Sequence, residues 1–438
     1  MENNLPKILV ISSVDPLYGP GMVALDHYNA LRKSGAQVDF LTKYPVDGHP
    51  EFLSVCHARW KKIPLLRSLC YRWINFRNRY YRKIMEQTGY YFFYRKEDNP
   101  PVPIRKVLRQ IRKDYDIVYI LFWQELLSFA TVKAIYDKIG CQVMFRCPDY
   151  SHMAGGCHFV GDCERYKTGC GKCPAIRSSR EDDFTAYNVQ YRKKFYETVR
   201  PVVFGNSYMT GFYRQSYLLK DYDLVETVCP LVDNVTFHPC DETASRKRYS
   251  IGDQKSFIIF FGCQLLDDER KGMKYLLKAL KLFHDRLTPA ERDKVLVIFA
   301  GKGASEIEDD ILFDHKYLGY VDSSMLPYIY SLSSVFICPS VNDAGPTMVN
   351  QAMSCGTPVV AFEMGTALDV VKGKGTGYCA RLRDSDDLAH GIEWLFRMPL
   401  QEYTALRDHC RKTALELTSD EAYFDYLMRL YNKLKQNK

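Results

Sequence analysis

No apolar run in the chain reaches the ~18–20 residues that a membrane-crossing helix needs, so none is expected. Internal repeats and low-complexity tracts are also missing. Their absence excludes repeat arrays and argues against long compositionally biased linkers. The N-terminal MENNLPKILVISS has an apolar run of only about five residues, with Lys7 just before it, too little for a secretory signal. It reads as a first strand, and the expectation is a chain made and kept in the cytosol. Cysteine is plentiful, at fifteen residues. In a cytosolic chain no disulfide framework is expected, and most cysteines are read as small buried apolar residues. The net charge of +8 is modest. It favours anionic ligands or a membrane surface and decides nothing alone.

What is present is ordinary globular composition, with 46% hydrophobic and 26% charged residues. At roughly 100–200 residues per domain, 438 residues predict two domains. Strand-like and helical runs alternate. KILVIS precedes MVALDHYNALRKSG, QVDFLT follows, and YDIVYILF, TVKAIYDKIG and CQVMFR come later. The rhythm restarts with SFIIFFG and with KGMKYLLKALKLFHDRL, whose apolar positions are Met273, Leu276, Leu277, Leu280 and Phe283. KVLVIFAGKG, YLGYV, SMLPYIYSLS, SVFICPS, PTMVNQAMSC and TPVVAF continue it. This βαβ rhythm predicts two α/β domains, each a doubly wound parallel sheet covered by helices. The polar, turn-rich residues 229–249 place the break. The expected domains are 1–228 and 229–417, with a C-terminal helix in 418–438 that packs back across both.

In open α/β sheets, ligands sit at the carboxyl ends of strands, against helix N-termini. NDAGPTMVNQAMSCGTPVVAF, residues 342–362, has that form. Gly345, Pro346 and Thr347 open a helix, where backbone amides and the helix dipole favour a phosphate. Pro346 suits the first turn, since its missing N–H would be unpaired anyway. Gln351 follows Asp343 by about 12 Å if the path is helical, and a non-helical lead-in shortens that. The two can reach opposite ends of one extended ligand. An ordinary strand–helix turn with an aspartate cap is the plainer reading. In FFGCQLLDDERKGMKYLLKAL, residues 260–280, Arg270 and Lys271 stand just before an amphipathic helix. There they can neutralise a diphosphate leaving group, and Gly272 allows close backbone approach.

These two stretches resemble the C-terminal signature of family 4 retaining glycosyltransferases of the GT-B fold. That resemblance implies two Rossmann-like domains facing across a cleft and a nucleotide-sugar donor held mainly by the second. It implies that Asp343 lies by the donor sugar and that Gln351, where the family has Glu, bonds the ribose. The amide is a weaker, uncharged acceptor than a carboxylate. YLGYVDSSMLPYIY resembles the loop that holds the base, with Gly319, Tyr320 and Val321. EMGTALDVV resembles the loop facing the sugar, with Glu363, Gly365 and Asp369. SSVDPLYGPGMVALDHYNAL resembles the Gly-rich loop after the first strand, with Gly19 and Gly21.

CPDYSHMAGGCHFVGDCERYKTGCGKCP, residues 147–174, is similar to a subgroup found in bacterial surface and capsular polysaccharide pathways. Matched at Gly155, Gly156, Cys157 and His158, the resemblance puts the subgroup's His-Asp pair on Pro148 and Asp149. His152 or His158 can substitute, or Asp149 can act alone; catalytic candidates are Asp343, Asp149 and His158. Cys157, Cys163, Cys170 and Cys173 have the spacing C-x5-C-x6-C-x2-C. Four thiolates at ~2.3 Å from one structural zinc would tie down a Gly-rich polar loop. Unligated thiols and a redox or iron–sulfur role are the alternatives, with His158 as a replacement ligand. No catalytic metal is expected.

Residues 59–83 carry nine basic side chains and no acid, interleaved with Trp60, Tyr71, Trp73, Phe76, Tyr80 and Tyr81. Such a helix can lie on anionic lipid at the inner face of the cell membrane. No recognised nucleic-acid module accompanies it, so nucleic acid is not the expected partner. The reading is a retaining transferase moving a sugar to a growing lipid-linked oligosaccharide. The alternatives are a nucleotide-sugar epimerase of the same fold and a non-catalytic zinc-containing scaffold.

Overall fold

A computed structural model describes residues 5–56, 88–93, 95–112, 114–146, 149–303 and 307–436. The basic segment 59–83 and Pro148 therefore lie outside the described residues. The chain divides into two compact units, Met1–Gly205 with Met209–Val228, and Asn206–Tyr208 with Cys229–Lys438.

The first unit holds a seven-stranded sheet in the order β3-β2-β1-β4-β5-β6-β7, parallel throughout. The strands are β1 Lys7–Ser12, β2 Gln37–Thr42, β3 Leu53–Ser54, β4 Ile117–Ile120, β5 Gln142–Arg146, β6 Val202–Gly205 and β7 Val225–Thr227. Ile8–Ile11 and Ile117–Ile120 have no exposed surface. A parallel sheet is covered on both faces, so its central strands are continuous apolar runs rather than alternating ones. Helix Phe129–Ile139 starts on a capping box of Ser128 and Thr131 and stops at left-handed Gly140. Strand order reverses between β1 and β4.

The second unit holds a six-stranded parallel sheet in the order β10-β9-β8-β11-β12-β13. Its strands are β8 Phe257–Leu265, β9 Val295–Lys302, β10 His315–Tyr317, β11 Val335–Cys338, β12 Val359–Phe362 and β13 Gly377–Ala380. Along β8 the period-2 rule divides the core. Phe257, Ile259 and Phe261 enter one apolar cluster, and Ile258 and Phe260 enter the other. Helix Met273–Arg286 buries Leu276, Leu280 and Phe283 on the first cluster, with Met273 and Leu277 at its margin. Strand β13 and helices Phe184–Val199 and Leu400–Thr418 were not anticipated. β13 is only four residues long and begins with glycine. Both helices mix polar residues into their buried faces, as with Asn188, Arg192 and Thr413. Order reverses between β8 and β11.

Candidate active site

In the second unit Arg270, Lys271 and Asp343 lie on the connections leaving the carboxyl ends of β8 and β11, where the order reverses, and Gln351 follows on helix Thr347–Ser354. After β8, a single 3-10 turn, Glu269–Lys271, is capped by Asp268, whose carboxylate accepts from Arg270 N at 3.0 Å. Gly272 follows in the left-handed region, at φ 71, and caps helix Met273–Arg286. A Cβ there would collide with the Pro339 carbonyl oxygen. The loop after β11 meets this turn directly. Val341 N donates to Arg270 O at 2.8 Å, and Asn342 N reaches the same oxygen at 3.3 Å. The two quoted sequence motifs are thus packed backbone against backbone.

That contact sets the charges. Lys271 Nζ lies 2.5 Å from Asp343 Oδ2, and Asp343 Oδ1 accepts from Gly345 N at 3.0 Å. The side chains are 24% and 18% exposed, so the pair is shielded but open to a ligand. Burial works to raise the Asp343 carboxyl, but the Lys271 ammonium, its hydrogen bond and the Gly345 amide outweigh it and hold the group below its ordinary value. Burial likewise works to lower the Lys271 ammonium, and Asp343 more than reverses this. Helix Thr347–Ser354 begins immediately afterwards. Pro346 is its cap residue in extended conformation rather than a member of the first turn. The loop after β12 closes on the same place. Left-handed Gly365 leaves a Cβ only 2.6 Å from Pro346 Cδ, and Thr366 Oγ1 donates to Pro346 O at 3.2 Å.

Other predicted side chains have structural partners. Arg270 forms a two-point pair with Asp268, through Nε at 3.0 Å and Nη2 at 2.5 Å, and its charge also helps to hold the Asp343 carboxyl down. Glu363 pairs with Lys372 at 3.0 Å, and Asp369 accepts from Ser207. Gln351 Oε1 accepts from the buried Tyr330 hydroxyl at 3.3 Å. Left-handed Gly319 follows β10, and its carbonyl accepts from Gly301 N at 2.8 Å. Tyr320 is 63% exposed, with Lys302 Nζ over its ring, and Val321 rests against the core. Sequence reasoning missed Tyr330, Asp268 and Asn206, whose amide donates to Ala344 O at 2.6 Å.

In the first unit, Gly19 is left-handed at φ 51. Gly21 opens helix Gly21–Lys33 where a Cβ would strike the Asp15 carbonyl. Asp149 lies just beyond β5, fully buried, and its carboxylate accepts from His158 Nδ1 at 2.8 Å, Gln124 Nε2 at 3.0 Å and Ser151 N at 2.8 Å. His158 stands among Tyr91, Phe93 and Phe159, with ring centroids 4.6, 5.7 and 4.6 Å away. His152 is not an equivalent candidate. It is wholly buried against Phe145, neither ring nitrogen has a hydrogen-bond partner, and burial drives it down to about 3. Gln124, on the loop after β4, was also missed; a lone glutamine carries no motif. Cys157, Cys163, Cys170 and Cys173 line one cavity as free thiols. Among the described residues, no three His, Cys, Asp or Glu side chains are already gathered to hold a metal.

Residues 241–416 match the family described as Glycosyl transferases group 1. The O-antigen chain mannosyltransferase B of Escherichia coli is 31% identical over 153 residues, 33% of this chain and 38% of that protein. The chain spans about two fifths of the length of the curated relatives it matches. Sucrose-phosphate synthase of Thermosynechococcus elongatus superposes at a TM-score of 0.65, with 17% identity, over 99% of this chain and 100% of its own. HepE of Anabaena, solved in complex with UDP-glucose, gives 0.62 with 14% identity over 98% and 100%. The fold is the two-domain GT-B type, α/β with two Rossmann-like units.

Proposed function

We propose that the protein is a retaining glycosyltransferase that moves a sugar from a nucleotide-sugar donor to a lipid-linked oligosaccharide in bacterial surface polysaccharide biosynthesis. The observation that carries this reading is the Lys271–Asp343–Gly345 network at a helix start, beside the reversal in strand order. The family match over 241–416 and the O-antigen relative support it.

In this reading the donor diphosphate takes the Arg270 and Lys271 cations and the amides that open helix Thr347–Ser354. Asp343, relieved of part of its pairing with Lys271, turns to the sugar together with the Glu363–Thr366 loop. Gln351 meets the ribose. Because its oxygen accepts from Tyr330, its amide hydrogens are the groups offered to a ribose oxygen. Gly319, Tyr320 and Val321 face the base. When the bond from the anomeric carbon to the diphosphate breaks, the electron pair leaves with the diphosphate, whose added charge Lys271 and the amides stabilise. The acceptor hydroxyl attacks from the face being vacated and passes its proton to the departing phosphate oxygen, so the anomer is retained. The Asp149–His158 pair orients the acceptor, Gly19 and Gly21 serve the donor phosphates, and the basic segment 59–83 contacts anionic lipid.

Purified protein incubated with a panel of nucleotide sugars tests the reading. Slow release of free nucleotide, with the sugar's anomeric configuration kept, is the expected result. An epimerised donor, or no nucleotide-sugar binding at all, overturns it.

A further inference from the structure

Among the described residues between β5 and helix Phe184–Val199 there is no strand and no α-helix, only the 3-10 turns Arg165–Lys167 and Pro174–Ile176. Connections longer than about 12–15 residues without secondary structure are uncommon in compact domains and need some other tie. Part of the tie is visible. Asn188 donates to Gly155 O at 2.8 Å, Arg192 donates to the carbonyls of Ser151 and Ala154, and Asp183 accepts from Cys173 N at 3.0 Å. These bonds fasten the ends of the loop. Its middle is organised around the cavity that Cys157, Cys163, Cys170 and Cys173 share with Phe92 and Tyr166.

We propose that these four cysteines form a single structural zinc site, with His158 excluded as a ligand. Three observations carry the assignment. All four cysteines line one cavity although they come from 17 consecutive positions with only the 3-10 turn Arg165–Lys167 between them. Cys170, Gly171 and Lys172 are left-handed in succession, at φ 64, 82 and 40, a tight knuckle that brings Cys170 and Cys173 to the same side. L-residues adopt that conformation at a cost, which chelation by the two flanking thiolates would offset. A backbone amide already points at sulfur: Gly155 N donates to Cys170 Sγ at 3.3 Å. Such a donor suits a thiolate, whose negative charge it spreads.

An all-sulfur donor set with this spacing selects zinc among the common divalent ions, in a closed tetrahedral site with no open position for catalysis. Loading turns the four side chains inward and releases four protons as the thiols become thiolates. His158 is left out because it does not line the cavity that the four thiols share; its Nδ1 is hydrogen-bonded to Asp149 at 2.8 Å. The site nevertheless bears on that pair. Cys157 forms an antiparallel bridge with Phe92, His158 N donates to Tyr91 O at 2.9 Å, and Tyr150 N donates to His158 O at 3.2 Å. Zinc at Cys157 thus anchors the strand-like stretch that presents His158 to Asp149. The proposal does not depend on the transferase reading, and its test reads metal rather than turnover.

The full chain, expressed in zinc-supplemented medium and purified without chelator, is assayed for zinc and iron. One zinc per chain is expected to survive gel filtration. Mercurial titration of the wild-type chain should release it in step with the modification of these thiols, so the test stands even if variants fail to fold. Cobalt reloading should give the intense sulfur-to-cobalt absorption and the visible bands of a tetrahedral thiolate site. Cys163→Ser and Cys170→Ser should each lower retained zinc at least tenfold. Zinc-free protein that also takes up no cobalt after reduction overturns the proposal. So does a disulfide between any two of the four in freshly purified protein, or iron with sulfide in place of zinc.

Discussion

Lys271 carries one positive charge that two partners want. In this structure it is held by Asp343 at 2.5 Å, and in the proposed complex it turns to a diphosphate. Lys271→Ala should weaken donor binding by about 1.5–3 kcal/mol, roughly ten- to a hundredfold, the scale of a hydrogen bond to a charged group. Calorimetric titration with the preferred nucleotide sugar measures it, and an unchanged dissociation constant would remove Lys271 from the site. The same pair sets a pH window. Asp343 is held below its ordinary value of 3.8, so its contribution to stability is whole above that value and is lost as pH falls through the lowered one. Lys271 is raised above 10.5, so its contribution is whole below that value and is lost as pH rises through the raised one. Unfolding midpoints against pH should therefore fall off at both ends for the wild type, and by less for the doubly neutral Lys271→Met/Asp343→Asn variant. Equal profiles would show that the pair is not linked to folding.

At the scale of elements, the loops matter because glycines let them touch. Gly272 combines a left-handed φ of 71 with a Cβ position already filled by the Pro339 carbonyl. Gly48, at φ 80, has nothing within 4 Å of its Cβ position. Gly48→Ala should cost only the conformational penalty, about 1–2 kcal/mol. Gly272→Ala should exceed it by at least about 1 kcal/mol through forced separation of the two loops, and should weaken donor binding as well. Denaturant midpoints compare the two, and equal losses would mean that the 270–272 turn and the 339–342 loop are not held in register. Much at this scale was legible in the chain itself. SFIIFFG, SVFICPS and TPVVAF announce strands because buried parallel strands are unbroken apolar runs, and helix Met273–Arg286 follows from its 3.6-residue spacing. Strand β13 gave no such signal, since GYCA is short and half-buried.

For the molecule as a whole, the reading places the donor on one unit. Saturating donor, at about a hundred times its dissociation constant, should stabilise the folded chain by about 2.7 kcal/mol. Hydrogen exchange should then slow at 268–273, 339–347 and 363–366, the loops that meet around Lys271 and Pro346. Protection elsewhere in the second unit, with none in these segments, would move the donor site.

The chain by itself determined the alternation of strands and helices, the two-unit organisation as an expectation, and the glycines and charged residues that stand at loop positions. These are local properties, written in spacing over a few residues. Only the tertiary structure decided which charges meet. Arg270 and Lys271 are neighbours in sequence, yet one pairs with Asp268 and the other with Asp343. His152 and His158 sit in the same loop, yet one is sealed among aromatics and the other is held by Asp149. Such pairings depend on strand order and on how tightly one loop can pass another, and neither is carried by the residues on either side of a given position.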